Sequence, residues 1–393
     1  MQIKRLAPTR ILRFSLILAL SLLGSIAARG QCSQVISGLQ FPLGITQSNQ
    51  DNLLIGESGL ITPNTGRISI VDPDGNRKTL IDGLPSGRND VGDPSGPAGL
   101  FIRGRTLYVV IGVGNSVLAG PFPGSNIPNP NPSSQLFSSV LAIHFSAAVE
   151  RNTSGFTLTL ADQSVLATGE KVTLSNSADE SITVQLIANF PDYTPNPLPT
   201  FPPNVRASNP FDLVVVDNQV YVTDGGMNIL RQVDIPSGTF STLASFPSVP
   251  NPFFPAVGGP VIEAVPTGIR YVNGQLLVNL FSGVPFPPGF SKVQSVDPVT
   301  GAQTPFITGR KTAIDVLPLR DSDDTDYLVL QHASTGLFFG SPGQVLRFET
   351  PTDPPTVVAA CLTRPSSMVL DRKTETLYVT EIGGRLLAIP IAP

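Results

Sequence analysis

An all-β fold, a six-bladed β-propeller of four-stranded antiparallel blades, is what the sequence predicts. Three observations carry that expectation. A strand pattern recurs six times, each copy opens on a Pro or Gly turn, and no helical periodicity of useful length appears after residue 28.

The core strand of each copy is NLLIGESG (52–59), TLYVVIGVGN (106–115), QVYVTDGG (219–226), QLLVNLFSG (275–283), DYLVLQHA (326–333) and TLYVTEIGG (376–384). Aligned on their apolar residues, they put Glu57, Ile111, Asp224, Leu280, Gln331 and Glu381 at one equivalent position, with gaps of 54, 113, 56, 51 and 50 residues. Five units are therefore regular and one carries an insertion at about 144–207, judged against blade-length periods. Upstream of each core strand lies an apolar partner, from FPLGI (41–45) to RPSSMV (364–369), and downstream lies another, from GRISIV (66–71) to GRLLAI (384–389). A fourth strand follows in most copies, as in KTLIDGL (78–84), TFSTLASF (239–246) and TVVAACL (356–362). The 36 Gly and 39 Pro punctuate strands at repeat boundaries, so they mark turns rather than disorder. SQVISGL (33–39) is expected to complete the last blade, and residues 32–393 form one propeller domain.

Residues 1–31 have a different character. Lys4, Arg5, Arg10 and Arg13 precede an apolar run from Phe14 to Ala27, which ends in the small residues Ser25, Ile26 and Ala27. That order predicts a cleaved signal peptide and a secreted or periplasmic product, because the run is shorter than the roughly 20 residues of a spanning helix. No membrane span is expected in the mature chain. The whole chain carries a net charge of −4, and the leader holds five bases and no acid, leaving 20 bases against 29 acids, or −9. With no basic stripe anywhere, nucleic acid is excluded as a partner.

Cys32 and Cys361 are the two cysteines, and in an exported protein such a pair invites a disulfide. Closure of the ring brings the chain ends together, yet Cys32 starts an outer strand while Cys361 ends one, which favours opposite faces. A bridge and two independent thiols both stand.

DGLPSG (82–87), SNP (208–210), VTDGGMN (222–228), AVPTGI (264–269) and SGVPFPPG (282–289), in this order, resemble the ScyD/ScyE family of exported six-bladed propellers. The resemblance runs over most of the mature chain and implies the fold, export and a place in secondary-metabolite handling. The long insertion and LIGESG in the first unit depart from the family pattern.

In a propeller, the loops entering the innermost strand and those leaving the second strand share one face. Glu57, Asp224, Gln331 and Glu381 are expected to ring the channel there, with Asn228, Asn279 and His332 beside them and Asp212 and Asp315 facing the channel. Glu57, Asp224, Asn228 and Glu381 make a candidate oxygen-ligand set for a hard cation such as Ca²⁺, which would act as a Lewis acid in a lactonase or hydrolase. The other reading makes these acids caps of Gly-Gly turns, and Ile111 and Leu280 leave the ring incomplete.

Two histidines cannot build a three-histidine zinc site, and no G-x-S-x-G or phosphate-cradling Gly-Lys motif occurs. His332 reads either as a general base or as a wall residue. The loops 117–134, 246–260 and 281–290 are rich in Pro and Phe. Phe122, Phe253, Phe254, Phe281, Phe286 and Phe290, with His332, are the candidate ligand-binding residues, either walling an apolar pocket or packing loops onto blade tops. The insertion, through GFTLTLADQSVLATGEKVTLSNSADESITVQLIANF (155–190), is expected to add strands beside the second blade as an interaction decoration.

Two functions follow. One is a binding or scaffold propeller offering its Pro/Phe-rich mouth to a small apolar or aromatic molecule or a protein partner; the other is the metal-assisted enzyme.

Overall fold

Each of the six sheets begins at the axis with a strand whose first residues sit against the same strand of the next blade. The innermost strands are Pro42–Gln47, Pro97–Arg103, Pro210–Val216, Pro266–Val272, Ala313–Pro318 and Pro365–Asp371, and they abut one another in closed ring order. In this computed structural model, residues 31–319 and 326–391 are described. The leader expected over residues 1–31 lies, except for Gln31, outside them.

The third, fourth and fifth blades are antiparallel throughout and grow outward by sequence-adjacent strands. The third blade runs Pro210–Val216, Gln219–Asp224, Ile229–Asp234, Phe240–Ser245, and the fourth and fifth follow the same order. The second strands are sandwiched between neighbouring blades, which is why Leu53–Glu57 and Tyr327–Gln331 are buried at every residue. Outer strands such as Phe240–Ser245 are largely exposed. Six apolar cores result, one between each pair of blades. Val214, Tyr221, Leu276 and Val278, for example, join the third blade to the fourth, while Leu277, Val316 and Val329 join the fourth to the fifth.

The innermost strands share a bulge. Register slips between Pro42 and Gly44, Pro97 and Leu100, Pro210 and Asp212, Pro266 and Ile269, Ala313 and Asp315, and Pro365 and Ser367. The bulge turns one residue per blade toward its neighbour. That position must be small unless its side chain bonds across: a Cβ on Gly99 would lie 2.3 Å from the Asp212 Oδ1, and one on Gly44 would lie 2.2 Å from the Ala98 carbonyl oxygen.

Ser33–Ile36 pairs with Arg385–Pro390 and completes the sixth blade, as the sequence predicts. Cys32 and Cys361 form a disulfide with Cα atoms 6.2 Å apart. The objection from opposite faces fails because Cys361 belongs to the outer strand Thr356–Leu362 of the fifth blade, so the bridge crosses from one blade to the next.

The insertion differs from its expectation in two respects. Ala147–Asn152 and Leu160–Ala167 are helices, the second closed by a capping box between Thr159 and Asp162. The segment is also packed rather than presented. Val149, Phe156, Leu158, Leu166 and Ile182 sit in the core between the first and second blades, and Phe156–Thr157 adds a parallel strand to the first. Buried Glu150 accepts hydrogen bonds from Ser48 and Asn52 and pairs with Arg105, tying the insertion across both blades. Ser181–Asn189 supplies the second blade's fourth strand and Val172–Ser175 a fifth.

Candidate functional site

Antiparallel pairing puts the loop into each innermost strand and the loop out of each second strand at the same end of the molecule. There the backbone repeats one contact six times. The residue after each second strand donates its N–H to the carbonyl of the residue just before the same blade's innermost strand: Ser58 to Phe41, Gly112 to Gly96, Gly225 to Asn209, Phe281 to Val265, His332 to Thr312 and Ile382 to Arg364, at 2.9–3.2 Å. These twelve positions form a rim. Phe41, Val265, Thr312 and Arg364 hold positive φ of 52°, 53°, 44° and 50°. For the β-branched Val265 and Thr312 this is strained backbone, held by the contacts around it.

One residue inside the rim sit the acids proposed as metal ligands. They do not converge, because each is fully engaged within its own blade. Glu57 accepts from the Gln40 N–H at 2.5 Å and pairs with Arg67 and Arg77 at 2.8 and 2.6 Å. Asp224 accepts from the Asn209 N–H at 2.8 Å and pairs with Arg231 at 2.8 Å, and Glu381 accepts from the Thr363 N–H and pairs with Arg385, both at 2.5 Å. Gln331 repeats the backbone half of this latch, accepting from the Lys311 N–H at 3.1 Å. Asn228 instead donates to Glu263 and accepts from the Val265 N–H. Among the described residues no group of three or more His, Cys, Asp or Glu side chains gathers to hold an ion. Guanidinium groups already occupy the oxygens of Glu57, Asp224 and Glu381, and these acids lie in separate blades, so the described side chains do not gather into the ring expected for Ca²⁺.

Asp212 and Asp315 do meet near the axis, through Arg270, which the sequence reading missed. The guanidinium reaches Asp212 Oδ2 at 2.9 Å and Asp315 Oδ2 at 2.8 Å. Each carboxylate also accepts from the next blade's backbone, Asp212 from the Ile269 N–H and Asp315 from the Met368 N–H. Burial pushes Asp315 up to about 6, against the pull of Arg270 and with the push of Asp212; Asp212 is raised by burial too. The triad cross-links blades three, four, five and six.

The aromatic candidates divide. Phe281, Phe286 and His332 come together over blades four to six, joined by Phe339, which the sequence reading did not single out. Phe286 stacks on Phe339 with centroids 4.4 Å apart, and Phe281 meets His332 edge-on at 5.7 Å. Phe122 instead meets Phe201 at 6.0 Å, and Phe253 and Phe254 stand exposed on the loop before blade four. Phe290 is half-buried outside the cluster.

His332 has both ring nitrogens committed. Nδ1–H donates to the Pro365 carbonyl at 2.8 Å, and Nε2 accepts from Arg364 Nε at 3.3 Å. The acceptor at Nδ1 is a carbonyl, so the proton sits there and the ring is neutral. Burial first, then the charges of Arg364 and Lys311, hold its pKa down to about 4, the Pro365 bond opposing them. A wall residue fits this better than a base at neutral pH. Arg364 lies 5.4 Å from the Phe339 centroid and lines a cavity of about 300 Å³ with Phe41 and Ile382 among its walls.

Among the loops of this face, charge is confined to those entering the innermost strands, which carry Arg88, Asp90, Asp93, Asp192, Arg206, Glu263, Arg310, Lys311 and Arg364. The six loops leaving the second strands, 58–65, 112–138, 225–228, 281–290, 332–342 and 382–384, contain no Asp, Glu, Lys or Arg. Most of the large apolar side chains exposed among the described residues lie at this end, including Leu60, Ile61, Val91, Phe122, Phe254, Val284 and Phe338. The opposite end carries Asp51, Asp72, Asp74, Asp217, Asp234, Asp297 and Asp353 in its turns.

No family model and no curated protein matches the chain. Among solved structures it is similar to a gluconolactonase from Xanthomonas campestris, at 11% identity and a TM-score of 0.51 over 94% of this chain and 93% of that one. It is also similar to virginiamycin B lyase from Staphylococcus aureus, at 14%, 0.45, 92% and 99%, and to an oxidoreductase of the glucose dehydrogenase type from Thermus thermophilus, at 14%, 0.49, 92% and 99%. At 11% identity the first of these shows the shared six-bladed propeller fold alone. Among the described residues no helix is long and apolar enough to cross a membrane.

Proposed function

We propose that this chain is an exported binding propeller of the ScyD/ScyE kind, whose uncharged loops at one end take up a small apolar or aromatic molecule. One observation carries the reading: six loops without a formal charge surround exposed apolar side chains at one end of a protein that is acidic elsewhere. An exposed apolar patch of this kind is a binding surface or a liability, and Pro-stiffened loops lower the ordering cost of binding. The cavity of about 300 Å³, with Phe41 and Ile382 among its walls, gives the ligand a seat, and Arg364 links it to the aromatic cluster. Export is supported by the leader pattern and by the disulfide, which suits an oxidising compartment. The committed nitrogens of His332 and the arginine-bound acids argue against the hydrolase reading.

The test is titration with the neutral dye N-phenyl-naphthylamine, followed by its enhanced emission. Saturable binding is expected, weakened at least about fivefold by Phe338→Ser combined with Phe41→Ala, roughly the apolar area those rings contribute. Absence of saturable binding to the wild type would remove the reading.

A further inference from the structure

Two cations on this face, Lys311 and Arg364, have no carboxylate partner among the described residues. Lys311 is 2% exposed, and its ammonium donates to the Phe338 carbonyl oxygen rather than to a carboxylate. Burial lowers its pKa, and no carboxylate counters that effect. Arg364 uses Nε on His332 and sits over the Phe339 ring, while its two Nη groups make no hydrogen bond or ion pair among the described residues. The two other ionisable groups at the cavity cancel, since Glu381 is bound by Arg385. His332, which accepts from Arg364, is neutral. The cavity therefore has an uncompensated guanidinium at one side and the apolar surfaces of Phe41 and Ile382 at the other.

A guanidinium with a free Nη pair is a fork for a planar or tetrahedral anion, and its stacking on an aromatic ring fixes the fork's plane. Lys311 adds positive charge nearby, felt by His332, without lining the cavity. We propose that the ligand is an aromatic anion, a one- or two-ring carboxylate, phenolate or sulfonate, whose charged group is held by Arg364 and whose rings lie against Phe41 and Ile382. This inference rests on the binding reading above and adds the charge of the ligand to it. A cavity near 300 Å³ is at the small end of ligand sites, which fits one or two rings.

Two dyes of similar size separate the inferences: anilinonaphthalene sulfonate, an anion, and neutral N-phenyl-naphthylamine. The wild-type protein is expected to prefer the anion, and Arg364→Gln to weaken it by roughly tenfold or more while changing the neutral dye less than about twofold. Arg364→Lys should recover part of the anion affinity, because it restores the charge without the fork. Arg88→Gln, an exposed arginine elsewhere on the same face, should change neither. Equal loss of both dyes in Arg364→Gln, or no loss of the anion, overturns the inference and leaves apolar binding intact. Failure of both dyes to bind the wild type removes the binding reading itself. Thermal melts of each variant separate a folding defect from a binding one.

Discussion

Replacing Cys32 and Cys361 by serine tests how the ring is held shut. The bridge closes a loop of 329 residues, nearly the whole propeller. In the chain-entropy treatment, a loop of that length removes about 6 kcal/mol of denatured-state freedom at 25 °C, while native disulfides generally deliver about 2–5 kcal/mol. A loss of about 4–5 kcal/mol is expected here. For roughly 360 folded residues, the unfolding entropy near 60 °C is about 0.75 kcal/mol/K, which converts the loss to a fall of about 5–7 °C in melting temperature. The non-covalent half of the closure is small: Ser33–Ile36 is a four-residue strand, exposed or half-buried throughout, that pairs along Leu386–Ala388. Without the bridge its amides should exchange far faster than those of Thr376–Glu381 in the same blade. Calorimetry and hydrogen exchange on the double variant, with the reduced wild type beside it, read both effects. A melting point within about 1 °C of wild type, with Ser33–Ile36 still protected, would refute the argument, because strand pairing alone would then close the ring.

Other expectations follow from the buried charges and polar groups. Asp224→Asn leaves Arg231, 7% exposed, without its carboxylate and should cost about 3 kcal/mol in urea unfolding; a loss under about 1 kcal/mol would remove the latch reading. Millimolar Ca²⁺ should leave the wild-type melting temperature unchanged, and a rise would restore the metal reading. His332 is lowered from 6.5 to about 4, so its contribution is fully present above pH 6.5 and is lost as pH falls toward 4, a change of about 3 kcal/mol. Asp315 is raised from 3.8 to about 6, so it acts in the opposite sense, favouring the fold below pH 3.8 and losing that contribution as pH rises through 6. His332→Gln should therefore unmask a stability that rises on acidification from about pH 6.5 to about 4.5, and an unchanged pH profile in urea melts would contradict the neutral assignment. Asn279 is wholly buried with neither amide atom partnered, so Asn279→Leu should stabilise by about 1–2 kcal/mol, and destabilisation would mean that the amide has a partner in solution.

The blades were legible because a strand buried on both sides must be apolar along its length, and that run recurs at a fixed interval with turn residues between. The fate of the acids was also partly written in the chain. Glu57 faces Arg67 across the strand pair and Glu381 faces Arg385, and Arg231 lies two residues along from the partner of Asp224. Blades with Ile111 or Leu280 in place of the acid have Ser139 or Lys292 opposite. A pairwise reading across the turn would have found the latch, whereas alignment of second strands alone saw only half of it. The helix Leu160–Ala167 carried its own signal in Thr159-Leu-Ala-Asp162, hidden inside a Thr/Val-rich stretch that alternates like a strand. Arg270 was not legible, since nothing local marks which inward-facing charge on one blade will meet Asp212 and Asp315 from two others.

The rim is where a six-fold backbone becomes an asymmetric site. All six blades make the same closing bond, so the backbone there is indifferent to which side chain follows it. Blades one, three and six spend their inner positions on acid–arginine latches, which need no help from neighbours. Blade four has Leu280 and Phe281 instead, blade five Gln331 and His332, and blade six alone has a rim residue, Arg364, whose charge its own latch does not use. Phe281 and His332 are adjacent because consecutive blades bring equivalent rim positions together, and Arg364 follows on the next blade. The aromatic cluster and the cation are thus separated by 25 to 83 residues in the chain and by one or two blade steps in space. Strain follows the same sector, with Val265, Thr312 and Arg364 in the left-handed region on three successive blades. A repeat fold can specialise in this way because each blade keeps the backbone closing bond whichever side chain stands at its rim.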